Sequence, residues 1–154
     1  RVVELNLVVP LLLCGKLLKH RARIVFISSL SYFISYPGAS TYAATKDGLA
    51  HLACSLQGIC NTLTVFPGPV RTAHARLHSP DNSREASRMD PDHLAGLIGA
   101  AQRNGNRMLL PGPSAKAAAL LGLFLPRVAE KLMMKAIYDR FQPGNKKFKN
   151  EASP

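Results

Sequence analysis

Apolar and polar positions divide the chain into alternating segments. Val2 to Leu18 is mostly apolar, with Pro10 inside it, and Lys16, Lys19, His20, Arg21 and Arg23 form a basic end. This predicts a helix buried over much of its surface, kinked or beginning near Pro10, with cations at its negative end. Ile24 to Ile27 is a short, fully apolar, β-branched run, as in a parallel strand buried on both faces. Ser28 and Ser29 lie at its carboxyl end, where open α/β sheets bind ligands. Leu30 to Ser40 reads as a loop carrying Tyr32, Phe33, Ile34 and Tyr36 before a Pro37-Gly38 turn. Those side chains either pack beneath the loop or line an apolar substrate pocket.

Ser40 or Thr41 can cap a helix running to about Gln57, stopped at Gly58. Leu63 to Phe66 reads as a second strand, ending at Pro67-Gly68. Thr72 to Asp90 is polar and aperiodic, with His74 and His78, and reads as a lid or binding loop. Asp90-Pro91-Asp92 opens a helix whose apolar stripe is Leu94, Leu97, Ile98 and Ala101. Arg107 to Leu110 is a third short strand, and Ser114 to Leu125 a helix closed by Pro126. A last helix runs from Arg127 to about Phe141. It sets Val128, Leu132, Ala136, Ile137 and Phe141 against Arg127, Glu130, Lys131, Lys135 and Arg140. From Gln142 onward the chain reads as a frayed tail. The alternation of helix and strand implies an α/β fold with a parallel sheet.

Composition narrows the class. The 154 residues suffice for one core, and 47% hydrophobic with 19% charged residues is ordinary for a globular chain. The net charge of +11 is scattered, with one small run at Lys146-Lys147-Phe148-Lys149. No recognition-helix, zinc-finger or aromatic RNA-binding motif accompanies it, so nucleic acid is not expected as a partner. Cys14, Cys54 and Cys60 lack metal-ligand spacing and form no Cys-x-x-Cys pair, so no metal site is expected. Cys14 and Cys54 read as small buried hydrophobes. An odd cysteine count without a signal peptide fits a reducing, cytoplasmic setting. The nearly uncharged apolar stretch from Ala117 to Leu125 is too short to span a bilayer, which needs about 20 residues. The basic amphipathic segment after Pro126 leaves room for peripheral membrane contact.

The candidate chemistry lies between the first two strands. Tyr42 and Lys46 are four apart near the start of a helix and share one face. An ammonium beside a phenol favours the phenolate, which suits Tyr42 to acid/base work near neutral pH. Ser29 precedes Tyr42 by 42 − 29 = 13 residues, at a strand end, where its hydroxyl could stabilise charge on a substrate carbonyl. Pro67-Gly68-Pro69-Val70-Arg71-Thr72 follows the next strand. Gly68 lets backbone approach a ligand, and the Val70 backbone and Thr72 hydroxyl could hold an amide such as that of nicotinamide. Taken singly, Ser29 and the Pro-Gly segment would pass as ordinary turn residues.

Jointly, Ser28-Ser29, Tyr42-x-x-x-Lys46 and Pro67-Gly68-x-Val70-x-Thr72 resemble the short-chain dehydrogenase/reductase family over about residues 2 to 112. The resemblance implies a partial Rossmann-like, doubly wound parallel sheet. It also implies hydride transfer between NADP or NAD and a carbonyl/alcohol substrate. By the same resemblance Ser29 polarises the carbonyl, Tyr42 exchanges the proton, and Lys46 binds the nicotinamide ribose and tunes Tyr42. Pro67, Gly68, Val70 and Thr72 contact the nicotinamide. Asn6, in Glu4-Leu5-Asn6-Leu7, would support a relay water, although a lone Asn in an apolar helix could equally be structural.

Departures from the family pattern carry weight too. The sequence holds no Gly-x-Gly-x-x-Gly-like phosphate loop and no residue that selects between the two cofactors. Asn6 to Ser29 and Lys46 to Pro67 are shorter than usual for the family. The expectation is a catalytic, C-terminal half: residues 1–112 as that half of a dehydrogenase domain, 113–141 as its last helices, and 142–154 as a tail. The substrate would be a small, hydrophobic molecule, and the full-length enzyme a homo-oligomer. Two competing readings are a truncated, non-catalytic relative acting as a helix-mediated dimerisation module, and a basic membrane-surface protein.

Overall fold

The computed structural model describes residues 1–20, 22–34, 40–78, 82 and 85–135. The expected Pro37-Gly38 turn, Tyr36, Arg21, and everything from Ala136 onward, including Lys146-Lys147-Phe148-Lys149, lie outside the described residues.

Three parallel strands form the sheet: β1 (Ile24–Ile27), β2 (Thr62–Val65) and β3 (Met108–Leu109), in the order β1-β2-β3. Ile24 pairs with Thr62 and Ile27 with Val65; Thr64 and Val65 pair with Met108 and Leu109. The second and third strands are each shorter or shifted by one residue at an end relative to the apolar runs at 63–66 and 107–110. Side chains alternate between the two faces. Ile24 and Phe26 meet Cys14, Leu49, Ala53 and Leu56 on one face, whereas Leu63, Val65 and Val25 meet Leu94, Ala101 and Ile98 on the other. Helices therefore cover both faces, and the chain adopts a partial Rossmann-like α/β fold.

Helix α1 (Val9–Leu17) continues a wider π-helical turn, Glu4–Val8. Pro10 explains the change of winding. It has no N–H to donate, and Val9 N–H reaches back five residues to the Glu4 carbonyl. The expectation of a largely buried helix is corrected here. Of α1 only Cys14 is buried, while Leu5, Leu11, Leu12 and Leu13 are more than half exposed. A segment that is apolar all round carries no stripe to tell which side faces inward.

Helix α2 (Ser40–Leu56) packs Ala43, Thr45, Leu49, Ala50, Ala53 and Leu56 inward. Its Gly48 sits against Leu7, where a Cβ would lie 3.1 Å from the leucine's Cδ1. Cys54, expected to be buried, is exposed, and all three cysteines are free thiols. The polar stretch after Thr72 is not all loop. It contains helix α3 (Ala73–His78), capped by Thr72 Oγ1 accepting from Ala75 N–H at 3.1 Å. Its base is closed by a parallel bridge between Val70 and Met89 and by an Arg71–Asp90 ion pair of 2.6 Å.

Asp90 caps helix α4 (Pro91–Arg103), accepting from the Asp92 and His93 N–H groups as the Asp-Pro-Asp signal implied. The helix ends at Gly105, whose φ of +69° permits the Asn106 N–H to reach the Ala101 carbonyl. Helix α5 (Gly112–Phe124) approaches the segment after β1 so closely that a methyl on Gly122 would overlap the Phe33 carbonyl. Pro126 then starts helix α6 (Pro126–Met133). Among the described residues no helix is long and apolar enough to cross a membrane, and no His/Cys/Asp/Glu group could hold a metal.

Candidate active site

The carboxyl ends of β1 and β2 carry the candidate residues, as parallel-sheet geometry requires. Ser28 is buried at the end of β1. Its N–H donates to the Val65 carbonyl, and its hydroxyl donates to the Lys46 carbonyl at 2.9 Å. This second bond fixes helix α2 against the strand at the turn that holds Lys46. Ser29 follows in extended conformation, and its Oγ accepts from the Ser31 N–H at 3.1 Å. That bond uses a lone pair, so the hydroxyl proton of Ser29 is left to donate elsewhere.

Tyr42 and Lys46 share one face of α2, with the Lys46 Nζ 5.8 Å from the centre of the Tyr42 ring. Lys46 is half-buried, and burial lowers its ammonium below the ordinary lysine range. Its Nζ donates to the Ile27 carbonyl at 2.9 Å. The Ile24 and Ser28 N–H groups bond toward β2, so Ile27 turns its backbone groups to the other side of β1. No described strand pairs with that side. Lys46 therefore satisfies a carbonyl on the open edge of the sheet while its charge stays beside the phenol. Tyr42 itself is 37% exposed, accessible to a ligand.

Asn6 and Thr45 extend this arrangement. Asn6 Nδ2 donates to Thr45 Oγ1 at 3.2 Å, and the Thr45 hydroxyl donates to the Tyr42 carbonyl at 2.7 Å. Asn6 is thus tied to the first turn of α2, next to Tyr42. Sequence reasoning missed Thr45, which is 2% exposed. A threonine three residues after the tyrosine, on the buried small-residue face, was the available signal.

On the β2 side, the Pro67 carbonyl accepts from Leu30 N–H, and a Cβ on Gly68 would lie 3.3 Å from Leu30 Cδ1. Glycine there lets the two strand-end loops touch. The bridge to Met89 uses the Pro69 carbonyl and the Arg71 N–H. In a parallel bridge this leaves the N–H and C=O of Val70 on the opposite side, available to an amide. The Thr72 hydroxyl accepts from Ala75 as a helix cap, which leaves its proton for a ligand. Arg71 holds the Asp90 carboxyl below the usual carboxylate range.

Tyr32 and Phe33, after Ser29, pack against the fold. Tyr32 and Phe33 stack edge to face at 4.9 Å, and both rings lie against Phe66, at 5.2 and 5.1 Å. Packing beneath the loop accounts for these two rings.

The residues present fit the nicotinamide end of a dinucleotide: a half-buried cation, an accessible phenol, a hydroxyl with a spare proton and an unengaged backbone pair. They include no glycine-rich turn for a pyrophosphate.

Comparison with known proteins shows the family. The family model described as short chain dehydrogenase matches residues 1–83, more than half of the chain. A search of curated proteins finds no match. Among solved structures, a short chain dehydrogenase from Burkholderia cenocepacia, in complex with NADP, is similar at a TM-score of 0.61 and 16% identity. The match covers 77% of this chain and 49% of that one. A short-chain dehydrogenase from Streptomyces avermitilis is similar at a TM-score of 0.65 and 22% identity, covering 91% of this chain and 61% of that one. The chain thus spans less than two thirds of the length of either structure, and the likeness shows the fold. With its sequence match and its β1–α2 geometry together, the chain belongs to the short chain dehydrogenase family.

Proposed function

We propose that this chain carries the proton-transfer and nicotinamide-positioning part of an oxidoreductase acting on a carbonyl/alcohol pair. The observation that carries the reading is the placement of Lys46, bonded to the Ile27 carbonyl with its ammonium beside the Tyr42 ring. A NADP or NAD cofactor, when bound, supplies or takes up the hydride; the Burkholderia cenocepacia relative is described as holding NADP.

The chain's own residues do the rest. In reduction Tyr42 gives its phenolic proton to the substrate oxygen, and in oxidation it takes that proton back. Lys46 keeps its ammonium beside the Tyr42 ring. Ser29 donates a hydrogen bond to the same oxygen, keeping its proton, and stabilises developing negative charge. Asn6, anchored on Thr45, is placed beside the first turn of α2 for a relay water. Val70 backbone groups and Thr72 hold the carboxamide, and Lys46 the ribose. A hydrophobic substrate fits the exposed Ile27 and the half-buried Leu30 and Ile34 around the strand end.

The test uses nicotinamide mononucleotide, which needs no pyrophosphate cradle. At millimolar ligand, amide NMR signals of Tyr42, Lys46, Val70 and Thr72 should shift, and Lys46→Met should abolish the shifts. Signals that stay still in the wild-type chain would end the reading.

A second reading, a helix-mediated dimerisation module, is favoured by the exposed apolar side of α1. Sedimentation should then show a concentration-dependent dimer that Leu12→Lys dissociates.

A further inference from the structure

The junction of helices α5 and α6 carries an apolar surface that the proposed chemistry does not use. Leu120, Leu123 and Phe124 occupy one side of the end of α5, at spacings of three and four. Leu125, Val128 and Leu132 continue it along α6. All six are exposed, Phe124 at 76% and Leu123 at 60%. The adjoining side of α6 faces the fold, since Ala129 is 2% exposed and Met133 half-buried, so the apolar stripe runs along the edge of that packing. Pro126 turns the chain between the two helices, so both apolar rows meet at one projecting corner.

Cations border this corner. Arg127, Lys131 and Lys135 recur every four residues, and Lys131 and Lys135 follow Val128 by three and seven, which places them alongside its stripe. Lys116 stands one turn before Leu120 on α5. All four are exposed, and Glu130 is the one acidic residue from Pro113 to Lys135. Apolar anchors flanked by cations match an interface that is anionic at its surface and hydrocarbon beneath. A nucleic acid would satisfy the cations but offers nothing to Phe124, Leu123 and Leu125.

We propose that the α5–α6 corner docks on an anionic lipid surface, with Leu123, Phe124 and Leu125 entering the acyl boundary and Lys131, Lys135, Arg127 and Lys116 facing the headgroups. The contact is peripheral, because among the described residues neither helix is long and apolar enough to span a bilayer. It is independent of the dehydrogenase chemistry and stands or falls separately.

The chain has no tryptophan, so Phe124→Trp supplies a single fluorescent reporter. The chain is mixed with vesicles of phosphatidylcholine alone or with phosphatidylserine added. Expected are co-sedimentation and a blue-shifted emission from the introduced indole with the anionic vesicles only. Raised salt, or Lys131→Glu with Lys135→Glu, should lower partitioning about tenfold or more. Leu123→Ser with Phe124→Ser should abolish it, with circular dichroism as the check on folding. If that pair fails to fold, the charge reversal and the salt series still decide. Equal binding to both vesicles, or binding that neither change affects, overturns the proposal. So does a lipid-free oligomer that Phe124→Ser dissolves, because it assigns the corner to a second copy of the chain.

Discussion

The Lys46 ammonium donates to the Ile27 carbonyl oxygen across 2.9 Å, joining helix α2 to the open edge of strand β1. One side chain thereby does two things. It satisfies a backbone group that no described strand pairs, and it holds a cation beside Tyr42. Lys46→Met should remove both. Urea unfolding should show a loss of about 1.5–3 kcal/mol, the usual range for a hydrogen bond involving a charged group. The sign of the pH dependence also follows. Burial lowers the folded-state pKa of Lys46, so above that pKa and below the unfolded value of about 10.4 the unfolded chain binds more protons. Stability therefore gains a rising contribution with pH across that window. The Lys46→Met chain should lack this component; identical pH profiles would contradict the assignment.

Tyr42→Phe keeps the ring and deletes the acid/base group. Turnover in a cofactor-linked assay should fall by at least about a hundredfold, with cofactor affinity changed little. Unchanged turnover would remove Tyr42 from the mechanism. The isolated chain should bind either full dinucleotide weakly, because it has no glycine-rich helix start for the pyrophosphate. Calorimetric titration giving a micromolar dissociation constant would contradict this.

Thr45 links Asn6 to the Tyr42 backbone while itself buried. Thr45→Val strands a donor and an acceptor at a shape-conserving site and should cost about 1–3 kcal/mol. In a cycle with Asn6→Ala, the two losses should fall short of additivity by about 0.5 kcal/mol or more. Strict additivity would mean that the Asn6 contact contributes nothing.

Gly122→Ala puts a methyl into the Phe33 carbonyl, and backbone cannot yield as a flexible side chain does. A loss of about 1–3 kcal/mol is expected. Hydrogen exchange should quicken at Leu30 to Ile34 and leave β2 unchanged. Exchange spread evenly over the sheet would point to a global effect instead.

Much of this arrangement was legible in the sequence. The apolar run at 24–27 ending in Ser28-Ser29, the Tyr42–Lys46 spacing, and Asp90 before Pro91 each encode a local rule: strand periodicity, helical repeat and capping. Local rules act over a few residues, so the sequence determined where the strands lie, which side chains share a face, and where the candidate chemistry sits. The tertiary structure decided what depends on distant neighbours. It showed the first helix mostly exposed and Cys54 on the surface, because uniform or scattered hydrophobicity does not say which side is covered. It folded Tyr32 and Phe33 onto Phe66, found the short helix after Thr72, and joined Asn6 to Thr45 across 39 residues. Above all, it gave Lys46 its partner. A lysine's position in sequence says nothing of which carbonyl lies on an unpaired edge, since pairing is settled only when the strands assemble.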